Sequence, residues 1–393
     1  MQPVDADVLV VGAGPAGLAV AACLRRRGID PLVVDRGGAV GDSWRARYDR
    51  LHLHTPRVQS ALPGLRIPRR FGRWVTKDDM AEYLRLYAAH HGIRPRFGVE
   101  VTHLERDGDG WKAETGGAPL SARQVVLASG YNREPVLPSW PGRETFRGEL
   151  LHASAYSGPE RFRGRDVLVV GAGNTGAEIA ADLAESGAGR VRIAVRTPPN
   201  LVPRQLGPVP ITLLAMTQDS APAWLVDPLN RLLQRIFVGD LTRHGLPRAR
   251  AGVVAQARAT GVTPTIDVGL IKELRAGRVT PVAAVAALDG DEVVLADGSR
   301  ITPDAVIAAT GYSTALEPVV GHLGILGPRG APVVHGGRSA PSAPGLRFVG
   351  IANPLKGLLF QISLDARAAA RAIAAELHTG PKGPSRNRTV PGR

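Results

Sequence analysis

Short apolar runs broken by glycine turns set the rhythm of this chain. Asp7-Val-Leu-Val-Val-Gly12 predicts a strand, Pro15 to Arg27 repeats apolar residues at helical spacing until Gly28, and Asp30 to Asp35 is apolar again. Strand, tight turn, helix and strand in that order form a βαβ unit of a parallel sheet. The same order returns at Val167-Leu-Val-Val170, a glycine turn, a helix through Glu185, and Val191-Arg-Ile-Ala-Val195. Each half later yields an apolar strand ending in a small-residue turn, Val125-Val-Leu-Ala-Ser-Gly130-Tyr131 and Ala305-Val-Ile-Ala-Ala-Thr-Gly311-Tyr312.

Between Pro203 and Pro264 this pattern stops, and the segment reads as an insertion. Inside it, Ala223 to Phe237 predicts an amphipathic or buried helix carrying Trp224, Leu225, Leu229, Leu232, Leu233 and Ile236. Alternation across Asp291-Glu-Val-Val-Leu-Ala-Asp-Gly298 predicts a hairpin with an Asp-Gly turn. After Arg347-Phe-Val-Gly350 a last helix is expected from near Gly357 to about Glu376.

Composition narrows the class. A chain of 393 residues, 44% hydrophobic, favours two or three domains. Its one cysteine, Cys23, excludes a disulfide framework, a CxxC redox pair and a Cys-rich zinc site. The start, Met1-Gln-Pro-Val-Asp-Ala-Asp7, lacks the order of a signal peptide, and no apolar run reaches the roughly 18 residues of a membrane span. The expectation is a cytoplasmic protein with no membrane partner. The net charge of +14 raises nucleic acid as a partner, but the arginines are scattered. The clusters are Arg25-Arg26-Arg27 at a helix end and a basic tail, residues 380–393, expected to be disordered.

Gly12-Ala-Gly14-Pro15-Ala16-Gly17 follows a strand and opens a helix, the context that makes GxGxxG a dinucleotide fingerprint. Gly12 allows the turn, Gly14 the approach of a pyrophosphate, and Gly17 the packing of helix on strand. Asp35, at the end of the second strand, would accept ribose hydroxyls and disfavour a 2′-phosphate, which suits FAD or NAD. Gly171-Ala-Gly173-Asn174-Thr175-Gly176 repeats the turn, but there the second strand ends at Arg196. A cation at that place pairs with a 2′-phosphate, so this half is expected to prefer NADPH.

Phe146-Arg-Gly-Glu-Leu-Leu-His152-Ala-Ser-Ala-Tyr156, between the two glycine turns, matches the FxGxxxHxxxY signature of the flavin-containing monooxygenase superfamily. The chain resembles the plant YUCCA type most, in Ser43-Trp-Arg-Ala-Arg-Tyr48 through His54-Thr-Pro, in Leu201-Val-Pro-Arg204, in Thr263 to Gly269, in Ala309 to Tyr312 and in Gly357-Leu-Leu359. The similarity runs from about Asp7 to Glu376. It implies an α/β fold of two Rossmann-like dinucleotide-binding domains in a glutathione-reductase-like arrangement. Residues 1–156 are expected to begin the FAD domain, 157–312 to form the NADPH domain with its helical insertion at 203–264, and 313–379 to complete the FAD domain.

The same resemblance implies an NADPH- and FAD-dependent monooxygenase. It would form a flavin C4a-(hydro)peroxide and pass one oxygen atom of O₂ to a small organic substrate such as a 2-oxo acid, ketone, amine or sulfide. Trp44, Leu51, His52 and His54 would line the flavin. His54, an asparagine in animal-type members, would contact the flavin or the NADP⁺ amide. Arg36, Val101, Ala128, Gly130, Gly350, Leu358 and Leu359 are further FAD-binding candidates, and Thr310 and Gly311 complete the cofactor set. The last helix would aim its first amides at the N1/C2=O edge of reduced flavin, with Lys356 adding positive charge. Arg204 and Lys356 are candidates to hold a carboxylate or the NADP⁺ phosphates. His152 and Tyr156 are read as packing and hinge residues rather than acid and base. No metal is expected, and the protein would be a monomer or homodimer.

Other readings are an NADPH oxidase, a disulfide reductase, a non-catalytic FAD sensor and a nucleic-acid binder. The lone Cys23 speaks against the reductase. A second dinucleotide turn speaks against a pure sensor, and 5% aromatic content offers few stacking platforms for single strands.

Overall fold

A computed structural model describes residues 4–218 and 221–379; the expected basic tail at 380–393 lies outside the described residues. β1 (Ala6–Val11), α1 (Pro15–Arg25) and β2 (Leu32–Asp35) form the first βαβ unit, with Val10 in register with Val33. α1 is built almost wholly from buried small and apolar residues, Ala16 to Leu24, because helices cover it on its far side. One of these is α2 (Lys77–His90), whose N-cap Thr76 accepts a hydrogen bond from the Asp79 N–H.

β3 (Arg96–Phe97) extends the sheet beyond β2. β4 (Val101–Asp107), β5 (Gly110–Thr115) and β6 (Leu120–Leu127) follow as an antiparallel meander. β6 then lies parallel to β1, with Val10 opposite Val126. The alternation of β4, β5 and the start of β6, with Val101, Leu104, Trp111, Ala113 and Ala122 buried, marks a region covered on one face, whereas the second half of β6, Gln124 to Leu127, is buried throughout.

The second sheet is parallel throughout. β7 (Glu149–His152), which precedes the boundary expected at residue 156, β8 (Asp166–Val170), β9 (Arg190–Val195), β10 (Val279–Ala283) and β11 (Ala305–Ala308) stand in the order β10-β9-β8-β11-β7. α3 (Asn174–Glu185) crosses from β8 to β9 as the second βαβ helix. The predicted Asp-Gly hairpin forms, with Val293 facing Ile301 and Gly298 at φ 85°.

Within the expected insertion lie α4 (Ile211–Gln218), α5 (Ala223–Phe237) and α6 (Val253–Thr260). Short strands flank them, Leu201–Pro203 pairing with Thr265–Asp267. The chain then returns: β12 (Leu346–Phe348) pairs with the second half of β6, and α7 (Leu358–Thr379) packs on α1. Strand ends Gly12, Asp35, Ala128 and Gly350 of one sheet therefore collect at one crevice, the place where open α/β sheets hold ligands.

Candidate active site

The two glycine turns are built alike. Gly12 (φ 111°) and Gly171 (φ 109°) take a left-handed backbone, and a Cβ on them would stand 2.4 Å from the Ala128 carbonyl oxygen and 2.6 Å from that of Ala309. Gly17 and Gly176 press on the preceding turn, where a Cβ would lie 1.7 Å from the Gly12 oxygen and 1.9 Å from the Gly171 oxygen. Gly14 and Gly173, the N-caps of α1 and α3, differ from these: nothing lies within 4 Å of a Cβ added there. Each helix thus presents its first amides to an open cradle, which fits a pyrophosphate.

Asp35 fastens the first cradle. Its Oδ2 accepts the Ala13 N–H at 2.6 Å and its Oδ1 the Gly37 N–H at 2.7 Å. Arg36 beside it donates to the Arg133 carbonyl at 3.2 Å. At the matching place in the second half, Arg196 is exposed at the end of β9 and makes no hydrogen bond or ion pair among the described residues.

A cavity of about 700 Å³ connects the two halves. Gly12, Gly14, Pro15, Ala16, Asp35 and Arg36 line its first end, and Trp44, Val101, Ala128, Gly130, Gly350, Leu358 and Leu359 widen it. Leu51, His52 and His54 form its waist, and Asn174 and Thr175 reach it from the second cradle. Its far wall comes from α4, α5 and α6, through Ile211, Leu214, Leu233, Gln234 and Val253.

Gly17, Gly171, Gly173, Gly176, Arg196, Thr310, Gly311 and Lys356 do not line this cavity. The Thr310 hydroxyl donates to the Val136 carbonyl, and the Gly311 carbonyl accepts from His152 Nε2 at 3.0 Å. The Lys356 carbonyl accepts from Gln59 Nε2 at 2.7 Å, and the charge of this residue acts on the half-buried Asp365. Gly357, at φ 90°, turns the chain into α7, and Leu358 and Leu359 carry the first helical turn to the cavity.

A buried carboxylate that the sequence reading passed over organises the waist. Glu178, two residues beyond the second glycine turn, is 2% exposed. Its Oε2 accepts the Tyr48 hydroxyl at 2.7 Å, and its Oε1 lies 3.0 Å from His54 Nε2. Burial and the Glu178 charge push the Tyr48 hydroxyl well above its ordinary pKa, so the phenol stays a donor. With both oxygens so engaged, His54 donates from Nε2 and turns Nδ1 the other way. That Nδ1 is buried and has no partner. A buried polar atom without a partner is costly, and here it marks a place for a bound group. An acid set among Gly176, Ala177, Ile179, Ala180 and Ala181 was the available signal.

Arg204 lies behind the waist. It donates to the Leu53 carbonyl at 2.6 Å and stacks over Trp74 at 4.1 Å, and burial pushes its pKa down to about 10. Its Nε has no partner. Arg47, between the sheets, donates to the Tyr312 hydroxyl at 2.5 Å.

His152 accepts the Ser154 N–H at Nδ1 and donates from Nε2 to Gly311, so its ring is satisfied as the neutral form. Burial lowers its pKa from the ordinary 6.5, as it does those of His91 and His335. The unfolded chain therefore takes up these protons first, and stability present above the unfolded pKa is lost as pH falls through 6.5 toward the lower folded values. Denaturant titrations at about pH 7.5 and about pH 5.5 should show a lower midpoint at the acid end, and His152→Gln should flatten that difference. Tyr156 is a core residue: its hydroxyl donates to Asp182 Oδ2 at 2.7 Å and its ring stacks on Phe162.

The segment from Arg47 to His54 straps the halves together. Tyr48 is planted in the core of the second sheet, and Arg50 pairs with Asp182 and Glu185 of α3.

Two glycine turns of the same build, the first lining the cavity at Gly12 and Gly14 and the second reaching it at Asn174 and Thr175, fit a flavoprotein oxidoreductase of the two-dinucleotide class. Residues 9–205 match the family model for the pyridine nucleotide-disulphide oxidoreductases. The chain is 37% identical over 309 residues to indole-3-pyruvate monooxygenase YUCCA1 of Oryza sativa subsp. japonica, covering 77% of this chain and 76% of that one. It is 34% identical over 379 residues to the probable indole-3-pyruvate monooxygenase YUCCA3 of Arabidopsis thaliana, covering 93% and 86%. A doubly substituted flavin monooxygenase from Stenotrophomonas maltophilia superposes with a TM-score of 0.72 at 25% identity, covering 94% of this chain and 98% of that one. The chain belongs to the pyridine nucleotide-disulphide oxidoreductase family and, within it, to the YUCCA-type flavin-dependent monooxygenases; it is an enzyme. Among the described residues no cluster of His, Cys, Asp and Glu could hold a metal, and no helix is long and apolar enough to cross a membrane.

Proposed function

We propose that the enzyme uses NADPH and FAD to insert one oxygen atom into an apolar carbonyl compound, with an aryl-substituted 2-oxo acid as the first candidate. The observation that carries this reading is the single cavity that joins the Gly14 cradle to Asn174 and Thr175 of the other and ends in an apolar wall. For a 2-oxo acid the overall change balances as RCOCOO⁻ + O₂ + NADPH + H⁺ → RCOO⁻ + CO₂ + H₂O + NADP⁺. Bound FAD, reduced by the nicotinamide, supplies the electrons for dioxygen, one of whose oxygens goes to substrate and the other to water.

The first cradle and Asp35 would hold the FAD pyrophosphate and ribose. The second cradle would hold NADPH, Arg196 pairing with its 2′-phosphate. His54 Nδ1 offers a hydrogen-bonding atom to the bound reactants, and Glu178 and Tyr48 fix which of its nitrogens does so. The wall of Ile211, Leu214, Leu233 and Val253 would exclude water from the reacting end. Arg204, the half-buried cation next to Leu53, would attract a carboxylate toward the waist.

The test is direct. The purified protein should be yellow, and aerobic turnover with phenylpyruvate should release CO₂ and the shortened acid for each NADPH consumed. NADPH consumption with hydrogen peroxide as the sole product across a panel of ketones, amines, sulfides and 2-oxo acids would favour the oxidase reading. Arg196→Glu should cut the preference for NADPH over NADH by about tenfold or more, an ion pair to phosphate being a charge-assisted contact. An unchanged preference would remove Arg196 from the site.

A further inference from the structure

α5 is an amphipathic helix mounted inside out. Its polar side faces the protein. Asp227, 5% exposed, accepts the Val254 and Ala255 N–H groups at 2.8 and 3.0 Å, capping α6. Asn230 donates to Gln218 at 3.1 Å, and Gln234 donates to the Leu201 carbonyl at 3.0 Å and to Asn200 at 3.3 Å. These bonds fix the roll of the helix. The apolar side is left outward: Trp224 is 77% and Ile236 63% exposed, and Leu225, Leu229 and Leu232 are each more than half exposed. Isolated exposed leucines are ordinary, but a contiguous helical face of them marks an interaction surface.

We propose that this face seats the enzyme on an anionic lipid surface. Charge selects that occupant. Arg231 and Arg235 are exposed along one edge of the apolar face, beside Trp224, and the helix's one carboxylate, Asp227, is buried. Apolar side chains with a tryptophan and arginines at their edge match the layering of acyl chain below phosphate. A second copy of the chain would bring another face of the same composition, with no α5 carboxylate to answer either pair of arginines. The net charge of +14 acts in the same direction.

The helix lies in the interface rather than across it. It has 15 residues, too few to span. This departs from the expectation of no membrane partner, which addressed spanning runs alone. The inner side of α5 supplies Asn230, Leu233 and Gln234 to the wall of the cavity. The lipid-facing and cavity-facing surfaces are thus two sides of one helix, and an apolar compound dissolved in the interface lies one helix diameter from the site. Docking itself is independent of the oxygenation chemistry proposed above.

The experiment is cosedimentation of the flavin-loaded full-length protein with sucrose-loaded vesicles. One set holds about 30 mol% phosphatidylglycerol in phosphatidylcholine, and the other is pure phosphatidylcholine, both at roughly 0.15 M salt. Wild-type protein should sediment with the anionic vesicles and much less with the neutral ones. The triple variant Leu225→Gln, Leu229→Gln, Ile236→Gln should partition about tenfold or more weakly while keeping its flavin and melting temperature, since these side chains are exposed. Arg231→Gln with Arg235→Gln should erase the preference for anionic over neutral vesicles. The proposal is overturned if wild-type protein stays in the supernatant, or if the triple variant binds as well as wild type. It is equally overturned if light scattering shows a dimer that the triple variant converts to monomer, because a second copy then covers the face.

Discussion

Gly14→Ala is expected to retain little flavin, yet to melt within about 1 °C of wild type once both are stripped of flavin, since a bound cofactor itself raises the melting temperature. The reason is that the added methyl meets nothing within 4 Å and its backbone angles suit alanine, so folding is not strained. It does, however, project into the cradle that a pyrophosphate would fill. Gly12→Ala should behave in the opposite way. Its φ of 111° and the Ala128 carbonyl oxygen 2.4 Å from the new Cβ force the first βαβ turn apart, at a cost of roughly 3 kcal/mol or more. Flavin absorbance per protein and a thermal melt of the same samples after flavin removal separate the two cases. A Gly14→Ala protein with full flavin would show that the first cradle does not carry the cofactor. The paired substitution Gly173→Ala should leave the protein yellow and raise the KM for NADPH, because the open space there belongs to the second turn.

Glu178→Gln is expected to leave the fold and the flavin in place and to lower product formation by roughly 10- to 100-fold. The amide can still accept the Tyr48 proton at one atom, but its NH₂ would point a donor at His54 Nε2. The histidine would then present Nε2 as acceptor and carry its proton on Nδ1, the reverse of the arrangement that Glu178 enforces. NADPH oxidation should fall much less than product formation, with the surplus appearing as hydrogen peroxide. A merely structural role would lower both rates together, or neither. Glu178→Ala should also cost roughly 2–4 kcal/mol of stability, since the Tyr48 hydroxyl and His54 Nε2 lose their buried acceptor.

Much of this architecture is written locally. Gly12 and Gly171 announce themselves because a left-handed turn between strand and helix demands glycine, and both are where the spacing predicts. The insertion helix runs from Ala223 to Phe237, the limits its periodicity sets, and the last helix begins one residue after Gly357. Periodicity reports that a face is apolar but not which way it points. Nothing in the α5 sequence reveals that Asp227, Asn230 and Gln234 find partners inward, because those partners, among them Asn200, Leu201 and Val254, come from other elements.

The waist of the cavity was hidden for the same reason. His54 is singled out by resemblance to the monooxygenases, but Tyr48 and Glu178 are 130 residues apart and only the packing of α3 against the strap joins them. Lys356 shows the limit of reasoning from neighbours in the chain. It directly precedes Gly357, yet it does not line the cavity that Leu355 and Gly357 on either side of it reach.

The strap also bears on how the molecule comes apart. Its two sheets own separate cores and could melt as independent units, as domains joined by a loose linker do. With the Tyr48 ring lodged in the second core and Arg50 anchored on α3, loosening one sheet drags material out of the other. A scanning calorimeter should therefore record one endotherm for the wild-type chain, and Tyr48→Ala should split it into two.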